Sequence, residues 1–192
     1  MVTTIALVRH GQTDWNLAGR IQGSSDIPLN DTGRDQARDA GRRLSGRGFS
    51  KVVSSTLGRA VETAQLIADQ LGLTGPDERI PDLVERAYGS AEGVPGEDLP
   101  LLYPHGVPDA EAEPEVVART RRAMIDLATR FPDDRTAAAT HGGVIGRLLR
   151  DLPSSDFPSR DHQRVLNGSA WIFEVDGDDI RFVEELSPTA EQ

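Results

Sequence analysis

The chain predicts an α/β fold, a three-layer sandwich with a mostly parallel central sheet and helices on both faces. Three observations predict it. Short apolar runs that read as buried strands alternate with segments whose apolar residues recur at helical spacing. Three of those runs lead into a basic residue and a turn or helix start. The last third holds two strand-like runs around Asp176-Gly177-Asp178-Asp179, a β-hairpin able to add an antiparallel edge.

Taken in order, Ile5-Ala6-Leu7-Val8 is a strand that delivers Arg9, His10 and Gly11 to its carboxyl end. Asn30-Asp31-Thr32 supplies helix-capping chemistry, and Ala37, Ala40, Gly41 and Leu44 mark the apolar face that follows. Lys51-Val52-Val53-Ser54 is the second strand. Val61, Ala64, Ala68 and Leu71 mark a second helix, ended by Gly72. Pro114 opens a third helix, with Val116, Thr120, Ala123, Leu127 and Phe131 as its inner stripe. Thr136 to Thr140 is a strand of small residues suited to tight burial. A helix runs from Gly142-Gly143 through Leu149, and Ala170–Val175 and Ile180–Leu186 form the hairpin. Residues 187–192 read as a frayed tail. One domain over residues 1–192 accounts for the whole length.

Composition narrows the function. The chain has no cysteine, which excludes disulfides and thiolate metal sites. Neither a membrane-length apolar run nor a signal-peptide pattern is present, so a cytoplasmic protein is expected. The formal net charge of -10 opposes nucleic acid and anionic membranes as partners. An anionic ligand must then be met by a local basic pocket. An edge strand leaves a homodimer open. The acidic runs Asp109–Glu115 and Asp176–Asp179 read as solvated loops, His105 and His162 as surface residues, and Trp15 and Trp171 as packing residues. Arg119, Arg121 and Arg122 are expected on the solvent face of the third helix.

The chemistry lies at three strand ends: Val8-Arg9-His10-Gly11, Val53-Ser54-Ser55 leading to Arg59, and Thr140-His141-Gly142-Gly143. In a parallel sheet they converge on one edge, where α/β folds bind ligands. Two guanidiniums, two imidazoles and helix N-termini around one small volume suit a phosphoryl dianion. One charge pair at roughly 4 Å and an effective dielectric near 20 is worth about 4 kcal/mol before desolvation. Neutral imidazole is a capable nucleophile, and the arginines disfavour its protonated form, so His10 is expected to attack. His141, facing the bound phosphate, is expected protonated as an electrophilic stabiliser. A carboxylic acid is still needed for the leaving oxygen.

These residues resemble the histidine phosphatase superfamily, the phosphoglycerate-mutase-like clan. The resemblance covers most of the chain and rests on five ordered segments: Leu7 to Asn16, Gly19 to Leu29, Leu29 to Gly33 with its helix, Ser54-Ser55 to Arg59, and Thr140 to Gly143. It implies that His10 forms a phosphohistidine, with Arg9, Arg59 and His141 completing the phosphate pocket. It also places Asn16, Gln22, Gly23 and Gly142 near the phosphate or the leaving group. Leu83-Val84-Glu85-Arg86-Ala87-Tyr88-Gly89 is similar to the region that carries the family's acid, which makes Glu85 the general acid/base; Asp82 and Glu92 are nearby competitors. Arg86 and Tyr88 either contact the leaving group or pack the loop. No metal or other cofactor is implied.

The implied activity is hydrolysis of a small phosphorylated metabolite. The nearest rival is a phosphoglycerate mutase dependent on 2,3-bisphosphoglycerate. The chain is shorter than those enzymes, and Val94 to Pro100 lacks their lysine-bearing continuation. An inactive phosphate-binding module is disfavoured because His10, Arg9, Arg59 and His141 are all present. Selectivity is expected between Arg86 and Glu113, a stretch with no readable periodicity.

Overall fold

A computed structural model of the protein describes residues 1–153 and 165–188. Its strands are β1 (Thr3–Arg9), β2 (Phe49–Ser54), β3 (Glu78–Arg79), β4 (Arg135–Thr140), β5 (Ala170–Asp176) and β6 (Asp179–Leu186), in the spatial order β3-β2-β4-β1-β5-β6. The β1–β4, β2–β4 and β2–β3 pairs are parallel. The hairpin extends the sheet antiparallel to β1, through β5. The helices are α1 (Asp14–Leu17), α2 (Asp31–Leu44), α3 (Gly58–Leu71), α4 (Leu99–Leu102), α5 (Glu113–Arg130) and α6 (Gly142–Asp151).

Alternation of side chains along the strands divides the core into two. Ile5, Leu7, Val53 and Ala138 face α5 and α6, packing with Met124, Leu127, Ile145, Leu148 and Phe173. Ala6, Val8, Val52, Ala137 and Ala139 face the other way, against Ala40, Leu44, Ala60, Ala64 and Ile67 of α2 and α3. Each fully buried Ile, Leu or Phe here stabilises by about 1.5–3 kcal/mol. The three-layer expectation is met.

The start and stop signals act as read. The Asn30 side chain accepts from the Gly33 N–H at 2.9 Å and starts α2. Gly72, at φ 71°, closes α3 in the left-handed conformation that glycine favours. Pro114 sits in the first turn of α5. The inner stripe of α3 differs from expectation: Ala60, Ala64, Ile67 and Ala68 are fully buried, whereas Val61 and Leu71 are only partly so. Helix α2 sets this orientation, since a Cβ on Gly41 would stand 2.7 Å from Cβ of Gln70 and 3.1 Å from Cα of Ile67.

Beyond β6, Ser187 and Pro188 adopt no regular structure; residues 189–192, like His162, lie outside the described residues. Among the described residues no helix is long and apolar enough to cross a membrane. His105 is exposed, and Trp171 is fully buried.

Candidate active site

The parallel strands do bring their carboxyl ends together. His10 N–H donates to the Thr140 carbonyl at 2.9 Å, and Ser55 N–H to the Ala139 carbonyl at 2.8 Å. His141 then serves as the N-cap of α6, while Arg59 lies in the first turn of α3. Glycine makes the approach of α2 to this edge possible. A Cβ on Gly11 would lie 2.0 Å from the Gly33 carbonyl oxygen, and one on Gly33 would lie 2.1 Å from that of Gln12.

His10 is buried, and its neighbours define its tautomer. A carbonyl only accepts, so Nδ1, 2.7 Å from the Gly11 oxygen, carries the proton. Arg59 Nε only donates, so His10 Nε2, 3.3 Å away, presents its lone pair. Burial, then the Arg59 and Arg9 charges, hold the imidazole well below its ordinary 6.5, against an opposing contribution from the Gly11 carbonyl.

His141 packs beside it, with ring centroids 5.2 Å apart. Its Nε2 is 2.7 Å from Ser55 Oγ, and its Nδ1 is buried with no hydrogen-bond partner among the described residues. Burial, followed by the charges of Arg59, His10 and Arg9, also holds His141 well below 6.5. The expected protonation of His141 therefore depends on the charge of a bound phosphate. The protein's own groups favour the neutral ring, because the guanidiniums that would hold an anion also repel a second cation.

The cavity at this edge has a volume of about 330 Å³, within the range of small-molecule sites. Arg9, His10 and Arg59 lie on its wall, with Asn16, Gln22, Gly23 and Gly142 around them. Arg59 has a fully buried side chain and donates to the carbonyls of Ser25 and Gly23 at 2.7 and 2.8 Å. Arg9 donates to the Val165 carbonyl at 2.6 Å. Asn16 Oδ1 receives the Thr13 N–H and hydroxyl and the Asn167 amide, each at 3.2 Å, which leaves its Nδ2 as the donor for the cavity.

Glu85 stands on the same wall. Its Oε1 accepts from the Arg86 N–H at 2.8 Å and its Oε2 from the Gly143 N–H at 3.0 Å. The competing carboxylates are engaged elsewhere. Asp82 pairs with Arg122 at the surface, at 2.8 and 3.1 Å. Glu92 accepts from the N–H and hydroxyl of both Ser24 and Ser25 and from the Tyr88 N–H. Burial alone would raise the Glu92 carboxyl, but those hydrogen bonds outweigh it and hold the group below the usual range.

One open alternative is decided in this region, and two expectations are corrected. Tyr88 lines the cavity but Arg86 does not: its Nε donates to the Glu111 carbonyl at 2.7 Å, Nη1 lies 3.6 Å from Glu113, and its guanidinium sits 5.0 Å from the Tyr88 ring centroid. Arg119 is buried, not on the solvent face of α5. The acidic run Asp109–Glu115 is not simply solvated, since Glu111 grips Arg119 and Glu113 pairs with Arg147. The second run, around Asp176–Asp179, does form the exposed turn of the hairpin.

The sequence profile of the histidine phosphatase superfamily (branch 1) matches residues 5–185. The chain belongs to the histidine phosphatase superfamily. A Bacillus subtilis protein named uncharacterized phosphatase PhoE is 36% identical over 167 residues, 86% of this chain and 85% of its own. The Arabidopsis thaliana phosphoglycerate mutase-like protein 4 is 36% identical over 191 residues, 91% of this chain and 80% of its own. Among solved structures, Bacillus stearothermophilus YhfR superposes with a TM-score of 0.79 at 28% identity, covering 94% of this chain and 95% of its own. A mycobacterial glucosyl-3-phosphoglycerate phosphatase complexed with VO3 gives 0.80 at 27% identity, over 98% and 100%.

Several cavity residues of this family member were not singled out from sequence. Arg20 and Arg150 stand on the wall, as does Val165. Asn167 donates to the His10 carbonyl at 3.0 Å and also holds Asn16. Its sequence signal is Asn167-Gly168 just before a strand that pairs with β1, a turn placed where β1 ends.

Proposed function

We propose that the protein is a metal-independent phosphatase that hydrolyses small phosphomonoesters through a phosphohistidine on His10. The observation that carries this reading is the His10 tautomer, with Nδ1–H fixed by the Gly11 carbonyl and the Nε2 lone pair beside Arg59 at the cavity. Arg9, Arg59 and the Asn16 amide donate to the phosphoryl oxygens. Nε2 attacks phosphorus as the bond to the ester oxygen breaks, and Glu85 gives its proton to that oxygen, releasing the alcohol. The Glu85 carboxylate then takes a proton from water as it attacks phosphorus. The P–N bond breaks, inorganic phosphate leaves, and both groups return to their starting forms. His141 remains neutral until the dianion supplies a compensating charge.

The test is a panel of phosphomonoesters assayed in chelator for released phosphate, with acid-labile phosphoenzyme trapped in parallel. Wild type should turn over and label. His10→Ala should lose both, and residual turnover or labelling would overturn the nucleophile assignment. The mutase-like name of one 36%-identical relative favours a second reading on the same chemistry. Isomerisation of 3-phosphoglycerate that needs 2,3-bisphosphoglycerate and outpaces phosphate release would establish it.

A further inference from the structure

The geometry points to Arg119 and Glu111 as positioning residues that clamp the loop carrying Glu85; this rests on Glu85 being the proton donor. The loop has little regular structure of its own, only a single turn over Pro81–Leu83. Yet it is tied on both sides of Glu85 to one ion pair, between buried Arg119 and partly buried Glu111. Arg119 Nη1 donates to the carbonyls of Asp82 at 2.8 Å and Val84 at 2.6 Å. Its Nε and Nη2 grip the Glu111 carboxylate at 2.8 and 3.0 Å. Glu111 in turn accepts from the Ala87 N–H at 3.3 Å, while its backbone donates to the Ala87 carbonyl at 2.9 Å and accepts from Arg86 Nε at 2.7 Å.

None of these ties touches the Glu85 carboxylate. Together they place the backbone from which it reaches the Gly143 N–H across the cavity. An ion pair drawn partly out of water is a poor source of net stability, because desolvation offsets much of the attraction. What it supplies here is direction: the planar guanidinium reaches two carbonyls and one carboxylate at once, which an ammonium cannot do. Neither residue is on the cavity wall.

The experiment compares Arg119→Lys and Glu111→Gln with Glu85→Gln on an alkyl and an aryl phosphate. Protonation of the leaving oxygen matters most for the poor, alkyl leaving group. Arg119→Lys should lower kcat/KM, which reports the steps through alcohol release and not the shared hydrolysis of the phosphohistidine, by about tenfold or more on the alkyl ester and by less than about threefold on the aryl ester, with inhibition by inorganic phosphate unchanged. In the Glu85→Gln background the same substitution should cost less than about twofold, because both changes remove one function. Equal losses on the two esters, weakened phosphate inhibition, or additive losses would overturn the clamp. If one variant fails to fold, the other carries the same test. A Glu85→Gln enzyme without leaving-group discrimination would overturn the proton-donor reading and the clamp with it. Discrimination in Glu85→Gln but not in the clamp variants would overturn the clamp alone.

Discussion

Gly143→Ala should displace the Glu85 carboxylate, the proposed acid, while leaving the residues proposed to hold phosphate in place. Gly143 is the second residue of α6, and its added Cβ would lie 2.2 Å from Glu85 Oε1 and 3.0 Å from Arg147 Nη1. Real Cβ atoms essentially never stand closer than 3.0 Å to such an atom, so the carboxylate oxygen must withdraw by about 1 Å. The helix backbone is fixed by its own hydrogen bonds, whereas the carboxylate is the far end of a rotatable side chain, so the side chain yields. A displacement of about 1 Å from a reacting geometry costs up to about 100-fold, or roughly 2.7 kcal/mol in the barrier. Alanine's better helix propensity, worth up to about 1 kcal/mol, offsets the strain in the folded state. The assay is kcat/KM on alkyl and aryl phosphates, which isolates the step that releases the alcohol, with the inhibition constant of inorganic phosphate and the melting temperature measured alongside. The expected result is a loss of about 10- to 100-fold confined to the alkyl ester, at nearly unchanged phosphate affinity and stability. Alkyl turnover within about twofold of wild type, or a crystal structure of the variant with Oε1 unmoved, would refute the reasoning.

Protonation and loop anchoring give two more tests. His10 and His141 are held below their ordinary 6.5, so the unfolded chain binds protons that the folded chain refuses. Their contribution to stability is therefore complete above about pH 6.5 and is lost as pH falls from there toward the depressed folded values. Urea midpoints should drop less steeply between about pH 7 and pH 5 in His141→Asn than in wild type, and parallel profiles would contradict the assignment. Glu92→Gln turns an NH2 group toward N–H donors of Ser24, Ser25 or Tyr88, which should cost on the order of 1 kcal/mol in denaturant unfolding, since these groups are only partly buried. Because the Gly23 and Ser25 carbonyls hold Arg59, this variant should also weaken phosphate inhibition, and unaltered inhibition would uncouple the two loops.

Much of the fold and the centre of the site were legible because the signals are local. A short apolar run followed by Arg9-His10-Gly11, a capping Asn30 and a terminating Gly72 each act within a few residues. Parallel pairing then brings the strand ends together without further information. Burial of charge was less legible. Arg119 lies three residues after Val116 and four before Ala123, on the face that the apolar spacing marks as internal, but a guanidinium is ordinarily placed in water. Its burial becomes reasonable only with Glu111 and two loop carbonyls around it, contacts that no periodicity announces. For the same reason the fate of Arg86 depended on the acidic run being structural. Strand β3, two residues long, is too short to carry a pattern.

The antiparallel docking of β5 on β1 has a consequence for how the molecule matures during synthesis. Segment 165–169, which enters β5, supplies the Val165 carbonyl to Arg9, the Asn167 amide to His10 and Asn16, and the Ser169 carbonyl to the Arg9 N–H. His10 is therefore translated about 155 residues before the segment that supports it. A nascent chain whose helices and parallel strands are already packed still lacks these restraints, and the pocket is complete only when the β5–β6 hairpin leaves the ribosome and closes over residues made long before it.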